Sequence, residues 1–448
     1  MSAHAARGVS PDNAGLSRVS LLALLGAGVS TFFSGAMIFA LPGVLRGTWA
    51  AQVTGGDEGP LGWVMTFVVV SLGVFTFFAG KWHMRLGTRK TYAIGTAILV
   101  VCCLLLIALP HSLWALYLWG FLNGTGSCFV YGPSLAVVQH YYPHKRGLAT
   151  GFVNLMFGGS GAVMAPIFGL MIKKLGYVGL NWSLIALLCV FNAFSIAVTQ
   201  LPDRAGLRPG VLAALKARHE SVRNDPNATL GRDAEVKDAV KSAPFRWIWV
   251  AWAFMGAAGV SMVTLSTAYG ASFASKGLTV EQAAGLGILL LSCYNITNGV
   301  SRIIAGAVSD KIGRNTLGCV TFVAAALGYL ALPFTTSQVL LAIEVALVGF
   351  AFGTLFAITS PLATDLFGLK NFGTIFGSIF TAYGFVGGII GPLLASYVLA
   401  ATGSNFTVVF IYLAVFCAIA AAAIMLAKTA GERYLAAQAN TGAGQNGE

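Results

Sequence analysis

Arg302 lies inside a long apolar run, Leu286 to Val308, in the stretch Cys293-Tyr294-Asn295-Ile296-Thr297-Asn298-Gly299-Val300-Ser301-Arg302. A helix through that run places Arg302 near the inner third of a segment long enough to cross a bilayer. Among the 27 Lys and Arg residues it is the one that falls neither at a membrane surface nor in a loop. A guanidinium in hydrocarbon costs about 2.5–3.5 kcal/mol on insertion scales, so it must face a polar cavity or a partner. Its charge cannot be titrated away, and its fork of donors matches a carboxylate. The chemistry expected of Arg302 is therefore recognition of the carboxylate of a small organic anion. The competing roles are bonds to backbone carbonyls, or a charge network with Asp310. Asn298 stands one turn earlier on the same helical face. It either orients the guanidinium or packs as a small polar residue, and Asn295 and Ser301 carry the same two readings.

Aromatic rings supply candidate walls for such a site: Phe32 and Phe33 in the first apolar run, Tyr131 in the fourth, Tyr269 in the seventh, Phe352 and Phe356 in the tenth. Tyr131 and Tyr383 rank above the others, because each adjoins glycine and carries a hydroxyl that needs a partner. Glu344 is a second ionisable group within an apolar run, a candidate for proton coupling or a residue held at the membrane interface. His140 and His144, at the end of the fourth run, are of the residue type that can switch charge near neutral pH, and solvation in a loop accounts for them most simply. The seven cysteines all lie in apolar runs without a CxxC pair and read as packing residues. No metal or cofactor is expected.

These residues must be positioned by membrane helices. The 448 residues are 57% hydrophobic and 9% charged, against about 25% charge in a soluble domain. An all-α, polytopic membrane protein follows. The net charge of +12 belongs to its loops and argues for no nucleic acid partner. No phosphate loop, metal cluster or catalytic triad pattern occurs, so no enzyme is expected. Twelve apolar runs can be drawn, at 19–42, 60–80, 91–109, 112–140, 147–173, 179–201, 245–272, 281–308, 316–334, 336–364, 371–400 and 403–428. Residues 1–18 form a polar N-terminal tail with no cleavable signal. Residues 19–201 form one six-helix bundle, 202–244 a charged linker that is helical over Val211 to His219 and otherwise flexible, 245–428 a second bundle, and 429–448 a tail whose small, polar residues after Arg433 predict disorder. Basic residues crowd one side (Arg7, Arg18, Lys81, Arg85, Arg89, Lys90, Lys145, Arg146, Lys311, Arg314, Lys370, Lys428 and Arg433), which predicts a cytoplasmic linker and cytoplasmic termini. Run lengths and loops point to a bacterial inner membrane, and the chain is expected to work as a monomer.

The two halves repeat. Gly80-Lys-Trp-His-Met-Arg85-Leu-Gly87 follows the second run and Gly306-Ala-Val-Ser-Asp310-Lys311-Ile-Gly313 the eighth, 226 residues later. The same offset relates Gly161 and Pro166 to Gly387 and Pro392. Such repeats are expected of transporters whose halves rock about a midplane site. Gly306-x-x-x-Asp310-Lys311-x-Gly313-Arg314 resembles the signature loop of the major facilitator superfamily, with a degraded copy at Gly80 to Lys90, where Met84 replaces the acid. The resemblance implies twelve transmembrane helices in two pseudo-repeats, and roles in folding and gating for Gly306, Asp310, Lys311, Gly313, Arg314, Gly80, Arg85 and Gly87.

A narrower resemblance is carried by Tyr141-Tyr142-Pro143-His144-Lys145-Arg146-Gly147-Leu148-Ala149-Thr150-Gly151, by Asn298-Gly-Val-Ser-Arg302-x-x-x-Gly306 and by Pro361-Leu-Ala-Thr-Asp365-Leu-Phe367-Gly368. These are similar to segments of oxalate/formate antiporters and monocarboxylate transporters, which implies that Arg302 contacts substrate carboxylate. The departures matter. Oxalate carriers pair this arginine with a lysine in the eleventh span, where Tyr383 stands here, and no Lys or Arg occurs from Asn371 to Ala427. One cation matches one carboxylate, since a dianion would leave a charge uncompensated in low dielectric. A lactate-, pyruvate- or formate-like monoanion is therefore favoured over oxalate. Animal monocarboxylate transporters carry an acid where Asn298 stands and a lysine in the first span, whereas Leu21 to Leu41 contains none. The expected activity is secondary transport of small monocarboxylates by proton symport, anion exchange or facilitated diffusion. The alternatives are an oxalate/formate-type antiporter and a non-transporting organic-acid sensor. The substrate-binding set is Arg302, Asn298, Tyr383, Tyr131, Phe352, Phe356 and Phe33, with Glu344 as the proton-coupling candidate.

Overall fold

Hydrocarbon offers a backbone no hydrogen-bond partner, so apolar runs of this length must close their own bonds as helices. The computed structural model describes residues 11–56, 60–223, 231 and 233–444. Arg7 of the orientation expectation, and residues 224–230 and 232 of the linker, lie outside them. In chain order the helices are α1 (Pro11–Phe39), α2 (Leu41–Val53), α3 (Gly62–Leu86), α4 (Thr88–Ala108), α5 (Leu113–Tyr141), α6 (Arg146–Val198), α7 (Pro209–Arg223), α8 (Val236–Lys241), α9 (Ala243–Ser272), α10 (Val280–Ile312), α11 (Arg314–Ala331), α12 (Gln338–Phe367), α13 (Phe372–Ala382), a π-helical segment (Tyr383–Ile390), α14 (Gly391–Ala401) and α15 (Phe406–Gly444).

Ten stretches among the described residues are long and apolar enough to cross a membrane. One of them, α6, holds two spans. It breaks at Gly176, whose φ of 70° a side chain would resist. The helix α5 is more polar inside, with Asn123, Thr125, Ser127 and Ser134, and it completes twelve. The first span continues past its expected end as α2, after a break at Ala40 just before Pro42.

Two expectations are corrected. The chain after Arg433 is helical through Gly444, because Leu435, Ala436, Ala437 and Gln438 are strong helix formers that extend the twelfth span. The linker is also more ordered than its composition implies. Its helix α7 buries Val211 and Leu215 against Leu16, Val137, Tyr141 and Leu201, and His219 Nε2 donates to the His140 carbonyl at 2.8 Å. Further along, Asp233 accepts the Leu369 and Lys370 amides at 3.0 Å each, and Asn371 donates to the Ala234 carbonyl at 2.9 Å.

The halves meet along two seams, α6 against α10 and α3 against α13. In each, glycine lets two backbones touch. A Cβ on Gly147 would collide with the Gly306 carbonyl, and one on Gly80 with the Gly373 main chain. The repeat offset of 226 carries Gly80 to Gly306 and also Gly147 to Gly373. The two contacts are thus related by the internal pseudo-symmetry.

Candidate functional site

Arg302 projects from α10 towards α6 and is 2% exposed. Its Nη1 donates to the Asn154 carbonyl on α6 at 3.0 Å, and Nη2 to Asn298 Oδ1 at 3.3 Å. Its Nε is buried without a partner. The guanidinium lies over the Phe356 ring, 4.4 Å from its centroid. Gly158 on α6 provides the room, since a Cβ there would run into the guanidinium. No ion pair to Arg302 occurs among the described residues.

Of the roles anticipated for Arg302, a backbone-carbonyl bond is therefore present at one nitrogen, the network with Asp310 is not, and one donor stays open. Asn298 does bond the guanidinium. Asn154 adds a cross-tie, accepting from the Tyr131 hydroxyl at Oδ1 and donating to the Phe356 carbonyl at 3.1 Å.

Rings enclose this polar centre. Phe356 packs edge-on to Trp252 at 4.9 Å, Phe352 at 5.2 Å and Tyr383 at 5.6 Å. Phe380 joins Tyr383 at 5.2 Å and Tyr131 at 6.1 Å. Tyr131 stacks on Phe157 at 4.4 Å. Trp252 is pinned by a 2.7 Å bond from Nε1 to Thr359 Oγ1. Tyr383 opens the π-helical segment, a geometry frequent at functional sites. It ends up at the cage because its neighbour Gly384 lies against Gly73 of α3.

Other sequence candidates lie elsewhere. Phe33 stacks on Phe191 at 4.4 Å, within the first half and apart from the cage. Tyr269 donates to the Leu332 carbonyl at 2.6 Å. Glu344, in the second turn of α12, accepts from Thr335 Oγ1 at 2.6 Å at the end of the molecule away from the linker. Asn295 points to an exposed surface, and Ser301 bonds the Asn298 carbonyl at 3.1 Å.

The Major Facilitator Superfamily profile matches residues 23–387 and, in a second alignment, 281–445. The chain belongs to this superfamily. The oxalate:formate antiporter of Oxalobacter formigenes is 26% identical over 303 residues, 65% of this chain and 66% of that protein. Monocarboxylate transporter 13 of Bos taurus is 26% identical over 404 residues, 86% of this chain and 84% of its own. The chain thus spans just under two thirds of the antiporter. In fold, the proton:xylose symporter XylE matches with a TM-score of 0.67 at 13% identity, covering 92% of this chain and 95% of the other. The human organic anion transporter MFSD10 matches at 0.64 and 16%, covering 91% and 99%.

Within this superfamily fold, the signature loop of the second half ties the halves together on the linker side. Asp310 accepts the Gly147 and Leu148 amides at 3.0 and 3.1 Å and Arg314 Nη1 at 2.9 Å. Asp365 accepts from Arg314 Nε and, at 3.3 Å, from Arg146 Nη1. Gln139 donates to Ser360 at 3.1 Å and accepts from Thr364 at 2.7 Å. These ties lie between the level of Arg302 and the linker. Lys311 is exposed beside them, and Gly313 adopts φ 90° to start α11. In the degraded copy, Arg204 of the linker donates to the Met84 and Arg85 carbonyls at 3.0 and 3.2 Å, and Gly87 turns at φ 80°.

Sequence reasoning passed over Asn154, Trp252 and Phe380. Asn154 had a signal, a primary amide inside an otherwise apolar run, where an unpaired polar group is costly. Nothing marked Trp252 or Phe380 among 52 aromatic residues.

Proposed function

We propose that this transporter is a secondary carrier of small monocarboxylates, in which Arg302 binds the substrate carboxylate between two halves that rock about it. The observation that carries this is a buried guanidinium with an unpartnered Nε and no acidic partner among the described residues. Nε–H and one Nη2–H point the same way and form a ready edge for a carboxylate. Asn298 Oδ1 holds only one end of that edge, at 3.3 Å. An incoming carboxylate takes both donors, displacing Asn298 from one and satisfying the other, a bidentate and charge-assisted pairing. The aromatic cage excludes water and strengthens it.

One cation supports a monoanion over oxalate. Glu344 lies apart from the guanidinium and its ring cage, which favours anion exchange over proton symport. In the proposed orientation the linker and both termini face the cytoplasm of a bacterial inner membrane, and the monomer is the transporting unit. The partners are then a small organic anion and the lipid bilayer, with a proton only under symport.

The test is uptake of labelled L-lactate into proteoliposomes by wild type, Arg302→Lys and Arg302→Ala. Internal formate, pyruvate or oxalate is supplied in parallel arms, with and without an inward proton gradient. Uptake driven by internal monoanion and lost in Arg302→Ala is expected. Gradient-driven uptake without counter-substrate would replace exchange by symport, and dependence on internal oxalate would move the substrate to the dicarboxylates. Undiminished transport by Arg302→Ala would refute the role given to this residue.

A further inference from the structure

A cavity of about 620 Å³ opens on the linker side, at the junction of α6, α10, α11 and α15, and Arg302 is not part of its lining. Its charged lining holds four cations, Arg146 from the first half and Lys311, Arg314 and Lys428 from the second, against three acids. Two of its three acids are already engaged, Asp310 by Arg314 and two amides, Asp365 by Arg146 and Arg314. The third is Glu432.

Two further features of the cavity point to an anion. The helix α11 starts in its wall, and its N-cap is Gly313, which has no side chain to accept from the first-turn amides of Arg314, Asn315 and Thr316. Such a helix start attracts negative charge. In addition, Arg146 is 3% exposed and its Nε has no partner. A buried donor without an acceptor costs about 1–3 kcal/mol, and a ligand oxygen would relieve it.

We propose that this cavity is a second, regulatory site for a phosphate group, distinct from the substrate site, held by Lys428, Lys311, Arg146 and the start of α11. Arg146 and the other groups belong to opposite halves, so the site is complete only while the linker side is closed. A phosphate bound there stabilises that state and slows its opening, in proportion to its differential affinity for the two states. The group comes either from a small phosphorylated solute or from the headgroup of an anionic lipid in the same leaflet.

The test needs no transport assay, so it stands or falls separately from the proposed substrate. The purified full-length protein in neutral detergent is titrated calorimetrically with sodium phosphate, against sodium chloride at matched ionic strength. Saturable phosphate binding is expected, weakened about tenfold or more by Lys428→Glu, kept by Lys428→Arg and tightened by Glu432→Gln. Both positions are exposed on α15, so neither change threatens folding. A parallel arm compares nanodiscs of phosphatidylcholine with and without phosphatidylglycerol. If free phosphate fails to bind, but phosphatidylglycerol raises the melting temperature of wild type and not of Lys428→Glu, the site stands and a lipid headgroup fills it. If neither probe acts, or if Lys428→Glu responds as wild type does, the site is refuted.

Discussion

Gly158→Ala tests the placement of the guanidinium without touching the arginine. A methyl at this position would fall 2.8 Å or less from Cζ, Nη1 and Nη2 of Arg302, so the guanidinium must withdraw. It is held by the Asn154 carbonyl, by Asn298 and by the Phe356 face, and withdrawal breaks at least one bond to a charged group. Such a bond contributes about 1.5–3 kcal/mol, which converts to a roughly ten- to hundredfold rise in KM at about 1.4 kcal/mol per decade. Overpacking costs typically about 1–3 kcal/mol, offset in part by the better helix propensity of alanine, roughly 0.5–1 kcal/mol; a loss of folded protein lowers the maximal rate and leaves KM unchanged, so the two effects are read apart. The control is Gly159→Ala, one residue on, where the new methyl meets only Leu155 Cδ1 at 3.2 Å, a flexible side chain that can yield. Both variants are assayed for KM and maximal rate of monocarboxylate exchange in proteoliposomes. If Gly158→Ala and Gly159→Ala both stay within about threefold of wild type, the guanidinium does not work from the place described.

Three further outcomes follow from the contacts above. Phe356→Leu removes the ring beneath the guanidinium, an interaction of about 0.5–2 kcal/mol. KM should rise about 2- to 30-fold, while Phe356→Tyr stays near wild type in the same assay. Asp365→Asn deprives Arg146 and Arg314 of a shared carboxylate, so the linker side should open more often. A cysteine placed at the buried Ala363 should then react with maleimide severalfold faster than in the Asp365 background, after subtraction of labelling in the parent with its seven native cysteines. His219, on the linker helix, has its pKa lowered by burial and, to a smaller degree, by the nearby Arg146 charge, against the opposing bond to the His140 carbonyl. The docked helix thus disfavours the proton. Docking is full above the ordinary value near 6.5 and weakens as pH falls below it, because only the undocked imidazole charges readily. Hydrogen exchange of α7, corrected for intrinsic rates, should quicken between pH 7.5 and 5.5, and His219→Gln should remove that pH dependence.

Helix placement was legible because a 3.6-residue backbone in hydrocarbon leaves little choice: apolar length, glycine and proline set most ends to within a few residues, except where helix runs on into polar sequence, from Pro11 before the first span, through Val53 after it and to Gly444 after the last. The spacing of Arg302 and Asn298 was legible for the same reason, since four residues return to one helical face. Phe33 illustrates the limit. Its type and span matched those of a pocket ring, yet which face of α1 meets α6 depends on packing between distant segments, and the ring stacks on Phe191 instead. Trp252 and Phe380 reach the cage through the same long-range packing. The tail after Arg433 shows another limit, for its small residues predict disorder by composition but helix by propensity, and continuity with the twelfth span decides for helix.

The repeat is symmetric in backbone and asymmetric in charge, and the asymmetry bears on how the carrier opens. Both seams use the same glycine pair at the same offset, so both permit the halves to close to backbone contact. Only the α6–α10 seam carries the acid. Asp310 there binds two amides across the interface, whereas the equivalent position, Met84, offers its carbonyl to Arg204 of the linker within its own half. Rocking must break charge-assisted bonds along one seam but only van der Waals contacts along the glycine pair of the other. Arg302 stands on the charged seam, where its Nη1 already bridges the halves through the Asn154 carbonyl. Under the proposed function, a substrate carboxylate that draws the guanidinium towards its Nε edge would weaken that bridge, and so would act on the seam that carries the charge-assisted ties.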